Sequence, residues 1–459
     1  MTGKKIAPLA QLPDKIAGII SLRNQSFQCM RKYLFRTKLL FCVPIIVLGI
    51  ALITRAQQTG TEAPAAFATP TLASNPGSLS VNNGLTEPTG DTFALDQTFF
   101  EAQHDPTTGL GPLFNATACV SCHQSAGMSG AGSQITEMRV GHRDDNGNFV
   151  NPTVTINEGQ STVGGRSVIN DRATCPQAQE NVPDAENIRT LRAALNILGD
   201  GFVEAIDDNT LIAISNAQPG QSNGLIQGEV VQVAVLEAPG QTRVGRFGWK
   251  NQHGSLLSFV ADAQLNEMGI TSRLKPTDTT TVCKTTMDPE DQPDSLGMAA
   301  IDHYAQFLRG TQAPPRDTTL AATTNAIAGQ ALFESVGCNT CHVESITTAA
   351  AGASINGGAY TVPPALGNKV IHPFGDYLLH DIGTGDGIVQ NPPQDTAEKM
   401  RTAPLWGLHV KSRYMHDLTS LTLDAAIARH KGEARGVTHS FNALTATQQQ
   451  QIITFLKSL

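Results

Sequence analysis

The sequence predicts a mainly α-helical fold in two domains, with long loops and little β-structure. Apolar residues recur at helical spacing in six stretches, whereas strand-like runs such as Val230–Leu236 are few. The connecting segments are long and rich in glycine, which is typical of loops. The predicted helices are Ile188–Leu198, Leu256–Gln264, Met298–Leu308, Ala326–Val336, Leu423–His430 and Ala446–Leu459.

Two pentapeptides, residues 119–123 (CVSCH) and 338–342 (CNTCH), follow the pattern Cys-x-x-Cys-His. In this motif two thiols add to the vinyl groups of a haem, and the adjacent imidazole binds the iron. Zinc would need four nitrogen or sulfur ligands in one cluster, and neither motif has a second cysteine pair nearby. Residues 113–118 and 329–334 resemble short helices that run into the motifs. We therefore expect two covalently bound c-type haems in two cytochrome c-like domains, attached at Cys119, Cys122, His123, Cys338, Cys341 and His342.

The N-terminal region has the layout of an export signal. A basic stretch from Met30 precedes an apolar run at residues 39–53, and small residues follow up to residue 56. The run is short for a membrane span, which needs about 20 apolar residues, but an uncleaved anchor stays open. Residues 1–29 fit a spurious extension or a cytoplasmic tail. Export predicts a periplasmic protein, the compartment in which bacteria attach c-type haem.

The rest of the chain divides at a proline-rich break. Residues 57–90 are rich in small residues and proline, which predicts a flexible linker. The remaining ~370 residues are too many for one core and favour two domains. We place them at residues 91–315 and 316–459, with one haem motif in each.

Two cysteines remain after the leader and the haem motifs are set aside, namely Cys175 and Cys283. An oxidising compartment makes a disulfide between them plausible. The sequence does not show whether their Cα atoms come close enough to be bridged.

The charge distribution restricts the partners. The chain has 32 basic and 40 acidic residues, and nine of the basic but one of the acidic residues lie within residues 1–56. The remainder therefore carries a net charge of −16, which argues against nucleic acid or an anionic membrane surface as a partner. It favours a small redox donor with a positive face, a cytochrome or a cupredoxin, although solubility alone would also explain it.

Several ordered motifs, over roughly residues 93–459, resemble those of one protein family. They are residues 114–119 (FNATAC), 245–250 (GRFGWK), 266–271 (NEMGIT), 377–383 (YLLHDIG), 401–407 (RTAPLWG) and 430–434 (HKGEA). They resemble di-haem oxidoreductases, sometimes called thiol oxidoreductases. These are related to bacterial di-haem cytochrome c peroxidases and to the di-haem enzyme that matures methylamine dehydrogenase. The resemblance implies that electrons pass from a C-terminal haem to an N-terminal haem that binds a small oxidant such as hydrogen peroxide.

The resemblance also implies a second iron ligand for the C-terminal haem, opposite His342. In the relatives this ligand lies fourteen residues after a His-Asp pair, and counting from His416 gives His430. The apolar spacing of residues 423–430 places His430 on the buried face of its helix. The relatives have methionine or tyrosine there, and histidine instead of methionine predicts a lower haem potential. The alternatives are a hydrogen-bonded core histidine at this position, or Met415 as the ligand.

For the N-terminal haem, bound through His123, the resemblance places the carboxylate of Glu267 over the open face. Splitting an O–O bond needs a group that takes a proton and returns it, and a carboxylate of raised pKa can do this. The family's glutamine, ten residues upstream, falls on Leu257 here. Glu267 could instead be a helix-end residue before Gly269. His142 is the best candidate for a sixth ligand that would close this haem.

A tryptophan between the haems relays electrons in the relatives, and Trp249 or Phe247 matches it, with core packing as the alternative. The favoured interpretation is thus a peroxidase-like enzyme in which Glu267 transfers protons and Trp249 relays electrons. A second is a non-catalytic electron-transfer cytochrome whose irons both carry two axial ligands, through His142 and His430. A third is oxidation of a protein or organic substrate by high-valent iron. An open coordination position distinguishes an enzyme from a carrier.

Overall fold

The computed structural model covers most of the predicted haem-binding region. It describes residues 60–65, 82–125, 128–132, 134–391 and 393–459. The predicted leader and anchor, and most of the predicted linker, lie outside these ranges. None of the helices in these ranges has the length and apolar character to cross a membrane. Residues 60–459 form one compact unit, and the boundary after residue 315 stays a prediction.

The helices largely match the spacing of apolar residues. In the described residues they are α1 (Phe93–Glu101), α2 (Asp200–Glu204), α3 (Asp208–Gln221), α4 (Leu256–Ala263), α5 (Ala300–Gly310), α6 (Thr318–Ala321), α7 (Thr324–Ser335), α8 (Leu423–Ala428), α9 (Arg435–Asn442) and α10 (Ala446–Leu456). Hydroxyl groups of Thr92, Ser255, Thr323, Thr422 and Thr445 accept a backbone hydrogen bond in the first turns of α1, α4, α7, α8 and α10. These caps satisfy N–H groups that would otherwise lack partners. The predicted helices at α4, α5, α7, α8 and α10 are confirmed.

Short strands occur throughout. They are β1 (Thr61–Glu62), β2 (Leu113–Phe114), β3 (Gln124–Ser125), β4 (Met128–Ser129), β5 (Ile135–Arg143), β6 (Phe149–Val150), β7 (Thr153–Ile156), β8 (Ser161–Gly164), β9 (Val168–Ile169), β10 (Arg172–Ala173), β11 (Ile188–Ala193), β12 (Gln232–Ala234), β13 (Thr242–Val244), β14 (Ile346–Thr347), β15 (Ser354–Ile355), β16 (Tyr360–Thr361), β17 (Lys369–Ile371), β18 (Leu379–His380) and β19 (Met400–Arg401). In one four-stranded antiparallel sheet β5 is central and pairs with β11, β6 and β9.

The prediction of a mainly α-helical class is wrong, because 33% of the structure is helical and 16% is strand. Within the predicted helix Ile188–Leu198, residues 188–193 form β11, which pairs along β5. Apolar residues at 188, 191, 195 and 198 imitate a helical spacing, yet Leu191 is 44% exposed. The predicted short helix at residues 113–118 is also wrong, since Leu113–Phe114 forms β2. The pairing of β11 with β5, and of β2 with β10, overrides the local pattern of these two segments.

Two apolar cores lie behind the two Cys-x-x-Cys-His motifs. The larger core joins α1, α4 and α5, and Cys119 packs against it. The second joins α7, α8, α9 and α10, and Cys338 packs against it. Helices α7 and α10 approach closely at Gly329, where an added Cβ atom would collide with the backbone oxygen of Gln451. Each motif is therefore held by its own set of helices.

The disulfide between Cys175 and Cys283 is confirmed, with Cα atoms 6.4 Å apart and a sequence separation of 108 residues. A crosslink that closes so long a loop restricts the unfolded chain strongly. We expect the double variant Cys175→Ser/Cys283→Ser to lose about 2–5 kcal/mol of unfolding free energy, measured by guanidinium denaturation of the haem-loaded protein. Dithiothreitol should lower the wild-type midpoint in the same way and leave that of the variant unchanged. Equal midpoints without reductant would contradict the expectation.

Candidate functional site

The second Cys-x-x-Cys-His motif lines a cavity of about 1590 Å³, counting the part open to solvent. Cys338 begins a short 3-10 turn, Cys338–Thr340, that follows α7, and Cys341 caps the turn. His342 comes next in the chain, and His430 lies two residues after the end of α8. All four side chains line this C-terminal cavity, so the predicted attachment residues and the predicted second ligand come together.

His342 and His430 face each other across the C-terminal cavity. The Nδ1 atom of His342 lies 3.0 Å from the oxygen of Phe374, and Nδ1 of His430 lies 2.9 Å from that of Ala426. The Nε2 atoms are thus left for a ligand, and the ring centroids are 6.4 Å apart. A metal bonds an imidazole nitrogen at about 2.0–2.1 Å, so one ion between two such rings needs centroids roughly 6 Å apart. The spacing fits one iron held by both rings.

The protonation of these rings suits the same role. Burial, and to a lesser extent the nearby His430, lower the pKa of His342 to about 4. Burial likewise lowers the pKa of His430. Neutral imidazoles keep the lone pair that a metal requires. Met415 also lines the cavity, but the ring of His430 is the group that faces His342.

Cationic side chains also line the C-terminal cavity, among them Arg401, Lys411 and Arg413. Burial, with some repulsion from Arg401, lowers the pKa of Lys411 to about 8. An uncompensated buried cation is costly, and the two propionate groups of a haem would supply opposite charges. The donor set of the cavity therefore fits a haem at both its iron and its carboxylates.

His380 is a further residue of this cavity. Its Nε2 lies 2.9 Å from a carboxylate oxygen of Asp376 and its Nδ1 lies 2.9 Å from one of Glu433. Burial lowers the pKa of His380, but the Asp376 carboxylate outweighs this and raises the pKa well above its ordinary value. The Sγ atom of Cys341 is 3.9 Å away, so a positive charge lies beside the expected thioether.

The first motif lines a second cavity of about 1070 Å³, counting the part open to solvent, which we call the N-terminal cavity. Cys119, Cys122 and His123 all reach it. The Nδ1 atom of His123 lies 2.9 Å from the oxygen of Leu195, and burial lowers its pKa. Among the described residues that line this cavity, His123 is the one histidine. The cavity therefore fits a haem with a single imidazole ligand.

Glu267 lines the N-terminal cavity, as the resemblance implies. It belongs to a π-helical turn, Gln264–Met268, that extends α4 and ends at Gly269 with φ +68°. Its backbone oxygen accepts hydrogen bonds from the N–H groups of Asn115 and Ala116, at 2.7 and 3.1 Å, in the loop that leads to the first motif. The turn thus ties the carboxylate to the expected haem attachment.

The side chain of Asn115 donates a 2.8 Å hydrogen bond to the Glu267 carboxylate. Burial raises the pKa of Glu267, and this bond and the charge of Arg139 partly oppose the rise. A carboxyl group whose pKa is raised in this way can take up and return a proton. The helix-end alternative is compatible with this role, because the same residue ends the helical segment and lines the cavity.

Sequence reasoning missed Arg139 and Tyr304, which also line the N-terminal cavity. Arg139 forms an ion pair with Glu137, and burial and repulsion from Arg192 lower its pKa to about 9. Burial raises the pKa of Tyr304 well above its usual value. Arg139 lies on β5, and no local pattern in the sequence predicted this strand. Tyr304 lies on a predicted helix, but nothing in its spacing pointed to the cavity.

Trp249 lines both cavities, together with Ala193, Ala194 and Leu195. Its indole N–H donates a 2.8 Å hydrogen bond to the oxygen of Ala193, which fixes the ring. Phe247 lines neither cavity and stacks on the partly buried ring of Phe259, so Trp249 is the better match to a relay residue. The segment that separates the two cavities is the end of β11 and the residues after it.

His142 lies elsewhere, on β5. Its Nδ1 atom is 2.8 Å from a carboxylate oxygen of Glu186, and its side chain is 36% exposed. It is not among the described residues that line the N-terminal cavity. This placement does not support His142 as an iron ligand, and that role stays a prediction.

The sequence of the chain is similar to that of a described protein family. The sequence model of the family described as "Di-haem oxidoreductase, putative peroxidase" matches residues 170–459. The match includes Glu267, the second haem motif and His430 but begins after the first motif. No curated protein sequence matches the chain.

Two solved structures resemble part of the chain. One is hydrazine synthase of Kuenenia stuttgartiensis, at 19% identity over 36% of this chain and 56% of that one, with a TM-score of 0.24. The other is a MauG-like protein associated with microbial copper homeostasis, at 19% identity over 35% of this chain and 52% of that one, also with a TM-score of 0.24. The similarity thus spans about half the length of each of these structures.

Proposed function

The chain belongs to the di-haem oxidoreductase family, and from this we propose that it is an exported, peroxidase-like enzyme with two covalently bound c-type haems. The asymmetry of the two cavities carries the proposal. In the C-terminal cavity two imidazoles face each other, whereas His123 is the one histidine that lines the N-terminal cavity in the described residues. Two axial imidazoles leave no open position, which suits electron transfer, while a single imidazole leaves one face to a small oxidant.

The proposed route of electrons runs from the C-terminal to the N-terminal cavity. Trp249 supports this route because its ring borders both cavities and is held by its hydrogen bond to Ala193. The edge of the Trp249 ring also meets the ring of His416, with centroids 6.0 Å apart. An aromatic ring in this position shortens the distance through which an electron must pass. Haem iron bound at His123 would supply the electrons that reduce the oxidant.

The protein's own residues would then transfer the protons and stabilise the charge that develops. Glu267 would take a proton from the near oxygen of hydrogen peroxide and give it to the departing oxygen. Asn115 orients the carboxylate through its hydrogen bond. The cationic Arg139 would stabilise negative charge that develops on the oxidant.

The electron donor and the location belong to the same proposal. A net charge of −16 beyond residue 56 fits a small basic cytochrome or cupredoxin as the donor. The basic and apolar pattern of residues 30–56 fits export to the periplasm, with residues 39–53 as a possible anchor.

The test is electron paramagnetic resonance of the haem-loaded protein, oxidised and half-reduced, with and without hydrogen peroxide. We expect a low-spin signal from the C-terminal haem and a high-spin ferric signal from the N-terminal haem that responds to peroxide. His142→Ala should leave both signals unchanged, since His142 pairs with Glu186 outside the cavity. Two low-spin signals that neither half-reduction nor peroxide alters would contradict the proposal and favour a carrier.

A further inference from the structure

A buried acidic cluster lies between α1 and α5, outside the two haem cavities. It consists of Asp91, Asp96 and His303, whose side chains are 0% exposed. The Nδ1 atom of His303 is 2.7 Å from Oδ1 of Asp96 and 3.7 Å from Oδ1 of Asp91. One potential ligand atom from each residue lies within 4.8 Å of the others. The cluster has the size of a metal coordination sphere.

The carboxylates of the cluster outnumber its one imidazole. The Oδ2 atoms of both aspartates are buried and accept no hydrogen bond. Two carboxylates removed from water need compensation, and one imidazole can supply at most a single positive charge. A divalent cation would satisfy both orphaned oxygens.

His303 is held as a metal ligand usually is. Its other nitrogen, Nε2, lies 3.2 Å from a carboxylate oxygen of Asp294, which orients the ring and leaves Nδ1 toward the two aspartates. The ring of Phe99 stacks on it, with centroids 3.9 Å apart and planes 7° apart. The imidazole therefore has little freedom to turn away from the cluster.

A second acidic group in the chain shows the contrast. Asp278, Asp288 and Glu290 are also close together, but the Lys284 ammonium lies among them, 2.6 Å from Asp278 and 2.8 Å from Asp288. That group carries its own cation within the protein. The cluster of Asp91 and Asp96 has no lysine or arginine within ion-pair distance in the described residues.

We propose that Asp91, Asp96 and His303 bind one divalent transition-metal ion of the type that accepts mixed nitrogen and oxygen ligands, such as Zn²⁺. The ion fastens α1 to α5 beside the N-terminal cavity, which residues of both helices line, namely Phe100 and Tyr304. The site is separate from the haem irons, and it stands whether or not the protein is a peroxidase.

The test is the metal content of the purified haem-loaded protein, by mass spectrometry, before and after incubation with Zn²⁺ and dialysis. We expect one divalent ion per chain beyond the two haem irons, and a higher midpoint of thermal unfolding with Zn²⁺. Asp96→Asn, His303→Gln and the milder Asp91→Asn should each lose the ion and the Zn²⁺-dependent stabilisation.

Asp291→Asn is the matched control. Asp291 is buried beside α5, the helix that carries His303. It lies outside the cluster and accepts hydrogen bonds from the backbone N–H groups of Ala300 and Ile301. This variant should lose stability but keep the ion. Wild-type protein without a bound ion, both as purified and after Zn²⁺ incubation, would overturn the proposal, as would equal ion content in the control and in the variants of the cluster.

Discussion

Replacement of His430 by methionine is expected to raise the reduction potential of the C-terminal haem by on the order of 0.1 V or more. A thioether opposite His342 favours the reduced iron, whereas the imidazole of His430 favours the oxidised one. His430 lies just after the end of α8 and its side chain lines the cavity, so a methionine at this position can reach the same site. The measurement is a redox titration followed by the visible spectrum of the haem-loaded protein.

Met415→Leu is the control for this prediction, since Met415 lines the same cavity and is the alternative ligand to His430. It should leave both haem potentials unchanged. The reverse result, an unchanged potential in His430→Met and a lowered low-spin signal in Met415→Leu, would show that Met415 is the iron ligand. The potential of the N-terminal haem serves as an internal reference in each variant.

The position of His430 was predictable because the sequence patterns that indicate it lie close to it in the chain. The count from His416 and the apolar spacing of residues 423–430 both lie within one short segment. Helix α8 forms over Leu423–Ala428 and ends two residues before His430, which still lines the cavity. The haem motifs are local in the same sense. Helices α7 and α10 were also found, since each buries one clear apolar face.

The N-terminal cavity was less predictable, because its walls depend on contacts between distant segments. Residues 188–193 have a helical spacing of apolar residues and become a strand through pairing with β5. That strand carries Ala193 and leads to Leu195, which bind Trp249 and His123. No local pattern in a sequence specifies such pairing, so the prediction of a mainly helical fold failed in this half.

The proposed cation cluster shows the same limit. Asp96 and His303 are 207 residues apart in the chain, and neither belongs to a motif with metal-ligand spacing. They meet because α1 packs against α5 through apolar side chains, as in the stacked rings of Phe93 and Phe307. The sequence predicted an apolar face on α5 but not that α1 would pack against it.

Glu267→Gln is expected to lower kcat for peroxide reduction by about 10²- to 10³-fold, because glutamine keeps the shape of the side chain but cannot carry the proton. The variant should still bind both haems, since the backbone oxygen of residue 267 keeps its bonds to Asn115 and Ala116. The measurement is steady-state oxidation of a reduced donor by hydrogen peroxide. A loss smaller than tenfold would assign Glu267 a structural role only.

The pH dependence gives an independent test of the same residue. Burial raises the pKa of Glu267 above its ordinary value of 4.5, and the base must be deprotonated to accept the first proton. The rate in wild-type protein should therefore fall as the pH drops through this raised pKa. This acidic limb of the pH–rate profile should be absent in Glu267→Gln. Asn115→Ala removes a hydrogen bond that lowers the pKa, so its limb should move to higher pH while the plateau persists. If Glu267 had a purely structural role, its replacement by glutamine would lower the rate equally at every pH, and the decrease of the rate at low pH would remain. The pH profile therefore distinguishes a proton carrier from a packing residue.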